Sequence, residues 1–156
     1  MNTSLLHLMQ QALPDLATML PTEPSRFSTS EIRLGIQRLA ANGEMLLAQA
    51  LADAGLSLHP ESEELLAMAG LMALTRQEWG DATALLEHLL EIQGEKAPPM
   101  TYRMLVRALR CNLEPARAQR VLWQGLQAWP QDQDLQQEQA EFIDGPCWMP
   151  SPQAQV

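Results

Sequence analysis

Aromatic residues are scarce in this chain of 156 residues, at 4 %, with four Trp, two Phe and one Tyr. An aromatic-centred core is therefore excluded, and Leu, Ala and Met must fill whatever interior forms. That suits helix-on-helix packing, in which small and flexible side chains interdigitate. Cysteine is scarcer still, with only Cys111 and Cys147. Cys111 is expected on a helix and Cys147 in a tail, so reduced thiols are favoured over a poorly motivated disulfide. Positive charge is also short: 10 Lys and Arg stand against 19 Asp and Glu, a formal charge of −9. This argues against nucleic acid as a partner and is compatible with basic ones. No apolar run is long enough to span a bilayer. No basic residue precedes Arg26, so the positive region of an export signal is missing and a cytoplasmic location is expected. His7, His59 and His88 share no metal-ligand spacing. There is no phosphate-cradling Gly-rich loop and no motif around a nucleophile. No metal, no cofactor and no enzymatic activity are expected.

What the chain does have is repetition. Ala48 to Ala82 is 34 residues and Ala82 to Ala118 is 36, while Pro60 to Pro130 is 70, the sum of the two. A two-residue insertion at Gln93-Gly94-Glu95-Lys96-Ala97 accounts for the offset. The apolar spacing predicts six helices, over residues 30–42, 44–57, 61–75, 78–93, 98–111 and 115–128. Their punctuation has physical causes. Thr29 or Ser30 can cap the first helix, while Asn42-Gly43 and Gly55 tolerate left-handed backbone. Pro98-Pro99 and Glu114-Pro115 open helices whose first N–H groups have no partner anyway, and His59-Pro60 and Trp129-Pro130 block continuation. A polar seventh helix over 131–143, with Leu135, Phe142 and Ile143 as its apolar contacts, suits the closing element of a repeat stack. Ahead of these, residues 4–20 read as amphipathic helix, with a linker before residue 29. The chain thus divides into 1–28, 29–143 and a Pro-rich tail from 144 that reads either as disordered or as an apolar self-ligand through Pro146, Trp148, Met149 and Pro150.

These segments resemble the tetratricopeptide repeat family. One carries Gly43, Ala48 and Pro60. Another has Leu66, Ala69-Gly70, Trp79, Ala82 and Leu90, and the third has Tyr102, Leu105, Ala118, Leu126 and Pro130. Leu34-Gly35 sits one residue early against the family pattern. The resemblance implies an all-α, right-handed helical solenoid of three helix pairs with an N-terminal helix and a C-terminal capping helix, spanning residues 29 to 130 in its repeats. It also implies a concave groove lined by the first helix of each pair. In that register the groove-facing candidates are Arg33 and Gln37 from the first repeat, Met68 and Leu71 from the second, and Met100, Arg103, Met104 and Arg107 from the third, with Met72 one turn from Met68. Chaperone cofactors of the family clamp a carboxylate with cations at such places; here only Arg33 matches, and methionines stand instead. The methionines read equally as core filler or as a soft surface for an extended apolar segment.

Charge is uneven along the repeats. Ten acids and one base lie between Glu44 and Glu95, and five Arg with one acid between Arg103 and Arg120. This reads as a solvated acidic face with inter-repeat ion pairs, or as Arg103, Arg107 and Arg110 awaiting a ligand carboxylate. The expected function is a protein or peptide interaction module, an adaptor or assembly factor. The alternative is a bacterial secretion chaperone, since the layout is similar to the translocator chaperones of type III secretion, which hold an apolar segment of a client. A structural subunit of a larger machine is a third reading. Leu5, Leu6, Met9 and Leu13 on the N-terminal helix form an apolar surface that packs on the first repeat or pairs two copies into a homodimer.

Overall fold

A computed structural model describes residues 27–144. Seven α-helices fill them, with no strand among the described residues: α1 Thr29–Ala41, α2 Met45–Leu58, α3 Glu63–Thr75, α4 Trp79–Gln93, α5 Pro99–Cys111, α6 Pro115–Ala128 and α7 Gln133–Asp144. A 3₁₀ turn, Gly94–Lys96, joins α4 to α5 at the expected insertion. The all-α expectation holds here, and every helix limit falls within two residues of the one read from the sequence. The expected helix over 4–20, the four apolar residues named on it, and the tail lie outside the described residues.

Local chemistry sets the helix ends. Ser28, rather than Thr29 or Ser30, caps α1. Its Oγ accepts from the Glu31 N–H at 3.3 Å and its own N–H donates to Glu31 Oε2 at 2.9 Å, a reciprocal capping box. Ser62 caps α3 by accepting from the Leu65 N–H at 3.4 Å. The same turn joins α1 to α2, α3 to α4 and α5 to α6. Gly43, Gln77 and Leu113 have φ of 81°, 63° and 62°. After each, the next N–H reaches back to a helix carbonyl, as Glu44 to Leu39, Glu78 to Ala73 and Glu114 to Leu109. This pairing satisfies carbonyls that the helix end leaves open.

Interhelical contacts recur at fixed offsets. A Cβ on Gly35 would lie 2.8 Å from Leu51, and one on Gly70 the same distance from Leu86; both pairs are 16 residues apart. Gly55 meets Ile32 and Gly125 meets Tyr102, at 2.7 and 2.9 Å; both are 23 apart. Gly55 was expected in a left-handed turn. It lies inside α2 instead, where its missing side chain admits α1. The His59 Nε2–H donates to the Phe27 carbonyl at 2.8 Å and the Trp129 Nε1–H to the Ala97 carbonyl at 2.9 Å, each 32 residues apart. Each helix packs on the next, and the odd-numbered ones also touch one another, α1 with α3, α3 with α5 and α5 with α7. Between the helices lies an aliphatic core in which Leu65, Leu86, Leu89, Leu105, Leu109 and Leu135 are fully buried.

Candidate interaction groove

α3 is apolar on nearly every face. Leu65, Leu66, Ala69, Met72 and Ala73 turn into the core, which leaves Ala67, Met68 and Leu71 to face elsewhere. Ala67, Met68, Leu71, Leu74 and Thr75 follow helical spacing along one side and line a groove of about 770 Å³. From α5, Met100, Arg103, Met104, Arg107 and Cys111 line the same groove, again at i, i+3, i+4, i+7 spacing. The turn before α4 contributes Gln77, α4 itself Trp79, and α7 Glu138. Leu71 and Met100 remain 52 % and 55 % exposed, so this side holds apolar surface that the described residues leave uncovered.

The cations are divided. Arg103 pairs with Asp134 of α7 at 2.8 Å and Arg110 with Glu138 at 3.5 Å. Arg110 also lies over the Phe142 ring, 5.2 Å from its centre, a cation–π contact. Arg107 is exposed on the groove and has no ion pair within 4 Å among the described residues. Glu138 is buried, and burial pushes its carboxyl above the ordinary value of 4.5 although Arg107, Arg103 and Arg110 pull it down. Two of the three arginines read as possible ligand-binding cations therefore also serve α7, and Arg107 alone is left facing the open groove.

Of the residues expected on this face, the structure brings together Met68, Leu71, Met100, Arg103, Met104 and Arg107. Met72 is not with them: it is buried with Ile32, Ile36 and Ala52, on the side of a smaller crevice of about 360 Å³ between α2, α3 and α4. Arg33 and Gln37 are outside the groove as well. Arg33 pairs with Glu64 at 3.3 Å, linking α1 to α3, and Gln37 is exposed on α1. Glu138 was not anticipated, yet a signal existed: it stands three residues after the buried Leu135 and so shares its helix face. The expectation of reduced thiols is corrected. Cys111 is disulfide-bonded, and the other cysteine of the sequence, Cys147, lies outside the described residues.

Among the described residues no helix is long and apolar enough to cross a membrane. Compared with known proteins, the chain matches no family model and no curated sequence.

Proposed function

We propose that the protein is a non-enzymatic interaction module of the tetratricopeptide type, a solenoid whose odd-numbered helices line a groove for a segment of another protein. The observation that carries this reading is the uncovered apolar strip of Met68, Leu71, Met100 and Met104 along α3 and α5. Support for the repeat comes from pairs of contacts that recur at matching separations and from the three matching left-handed turns. Helices that pack chiefly on their neighbours along the chain are what a quasi-one-dimensional repeat requires.

Four flexible thioether or aliphatic side chains can repack around different apolar partners. Polar recognition is left mainly to the open Arg107, since Arg103 and Arg110 have acidic partners on α7. That distribution favours an extended apolar segment carrying an occasional acid over a polar, folded surface. It is the specific support for the second reading, a chaperone of the type III translocator class that keeps an apolar client segment soluble. The adaptor and chaperone readings share the groove and differ in the state of the partner.

The test is binding of arrayed 12-residue peptides of graded hydropathy to wild type and to the Met68→Glu, Met104→Glu variant. We expect wild type to select apolar peptides and the variant to lose them, with at least a tenfold drop in affinity, equivalent to about 1.4 kcal/mol. Equal binding by both proteins would place recognition away from the groove and overturn the reading.

A further inference from the structure

The groove contains a clue to what covers it. Cys111 lines it and is disulfide-bonded. We propose that Cys111 is joined to Cys147 and that this bond seats the chain's own segment 148–152 in the apolar groove, so that the oxidised protein is self-occupied and reduction opens it. This rests on the groove being the interaction face, as proposed above.

Reach and composition both support this occupant. Phe142 of α7 lies against Arg110, the residue next to Cys111. Four residues separate Phe142 from Cys147; α7 ends at Asp144, and the three steps from there to Cys147 span about 10 Å when extended, a reach that allows the two sulfurs to meet. From Cys111 to Met100 along α5 is 11 positions, or about 16 Å at helical rise. Residues 148–152 read Trp-Met-Pro-Ser-Pro. Its two prolines favour an extended backbone, and five residues at about 3.1 Å each cover nearly the same 16 Å. A bond at the Cys111 end would lead Trp148 and Met149 directly onto Arg107 and Met104, where an indole can stack on an open guanidinium. Tethering sets an effective concentration in the mM range, enough for a short apolar segment to compete with a client.

The redox step is a thiol–disulfide exchange with a small-molecule disulfide. One cysteine thiolate attacks it, forming a mixed disulfide and releasing one thiol. The second cysteine thiolate then displaces the other thiol, so the protein loses two electrons and two protons and the small disulfide becomes two thiols. Excess small thiol reverses both steps.

Two measurements on the full chain test the proposal without any client. Trypsin digestion without reductant should yield a linked pair joining residues 111–117 to residues 121–156, and its absence overturns the bond. Methionine footprinting with dilute hydrogen peroxide then reads the occupant, because a covered thioether oxidises slowly. We expect Met68, Met100 and Met104 to react about fivefold more slowly in the oxidised wild type than in Cys147→Ser or in Trp148→Asp, Met149→Asp, while Met45 on α2 reacts equally in all. Equal rates in all three proteins overturn the seating. Protection that persists in both variants does so too, assigning cover to residues 1–26 if independent of protein concentration and to a second copy if dependent on it. Should the peptide array fail on the reduced protein while this protection is seen on the oxidised one, the tail is the groove's ligand and the client reading falls alone. If peptides bind without tail protection, the client reading stands and this one falls.

Discussion

Leu113 and Gln77 stand where the first helix pair has a glycine. All three hold positive φ, but only Gly43 does so without a Cβ clash. Leu113 is 86 % exposed, so its side chain gives little packing in return. We expect Leu113→Gly to raise the urea midpoint by about 1 kcal/mol of stability; an unchanged or lower midpoint would show the strain to be relieved elsewhere. Glu138 makes a second prediction, with a definite sign. Its folded carboxyl holds its proton more tightly than the unfolded one, so its ionisation opposes folding at neutral pH. Stability from this group therefore grows as pH falls through the raised value and is complete below the ordinary 4.5. We expect wild type to gain on Glu138→Gln in melting temperature between pH 7 and 4.5, and a constant difference between the two would refute it. Glu31 and Glu114 act oppositely. Ser28 holds the first below its ordinary value, and Arg117, then Asn112, hold the second. Their contribution is lost only as pH falls below 4.5.

At the scale of the elements, the close helix contacts depend on absent side chains. Gly125 lets α6 approach Tyr102, whose Cγ and Cβ would lie 2.9 and 3.0 Å from an added Cβ. The tyrosine is only 6 % exposed and cannot swing away. Gly125→Ala should therefore cost about 1–3 kcal/mol by overpacking. Gly80→Ala is the control, with nothing within 4 Å of its added Cβ and a gain of under about 1 kcal/mol from helix propensity. Denaturation that ranks Gly125→Ala at or above wild type would break this account. Arg117 ties elements in another way, binding Glu87 on α4 and Glu114 at the start of its own helix. Exposed pairs of this kind contribute little stability, and their role is in aligning successive helices.

For the whole molecule, the question is how its apolar faces are covered. α7 closes one end by burying Leu135 and presenting acids to the arginines of α5. Residues 1–26 lie outside the described residues; in their sequence Leu5, Leu6, Met9 and Leu13 stand at helical spacing. As an association device, that surface predicts that Leu6→Asp with Met9→Asp halves the mass in light scattering. A mass equal to that of wild type would instead assign it to packing within one chain.

Much of this architecture was legible without coordinates. Helix limits follow from Pro, Gly and apolar period, which act within a few residues of the chain. The repeat offset is visible because the same packing problem recurs every 34 to 36 positions, and a small residue such as Ala48, Ala82 or Ala118 answers it each time. The candidates on α3 and α5 came from the register that the family resemblance implies, within which helical spacing puts Met68 beside Leu71 and Met100 beside Met104. Long-range contacts left no such local trace. Met72 differs from Met68 by one turn and a small rotation, and only the position of α1 and α2 decides that it is buried. The sequence left Arg103 and Arg110 readable as ion-paired or as ligand-facing, and α7 decides it by bringing Asp134 and Glu138 to them. The bond at Cys111 was read the wrong way because sequence separation does not report where a chain returns in space. The sequence by itself determined the helices, their order and their apolar faces, all of which are set by neighbours three or four residues away. Tertiary structure alone decided which charges are paired across helices and which methionine stays outside the core, because each depends on residues about 30 positions distant being folded back into contact.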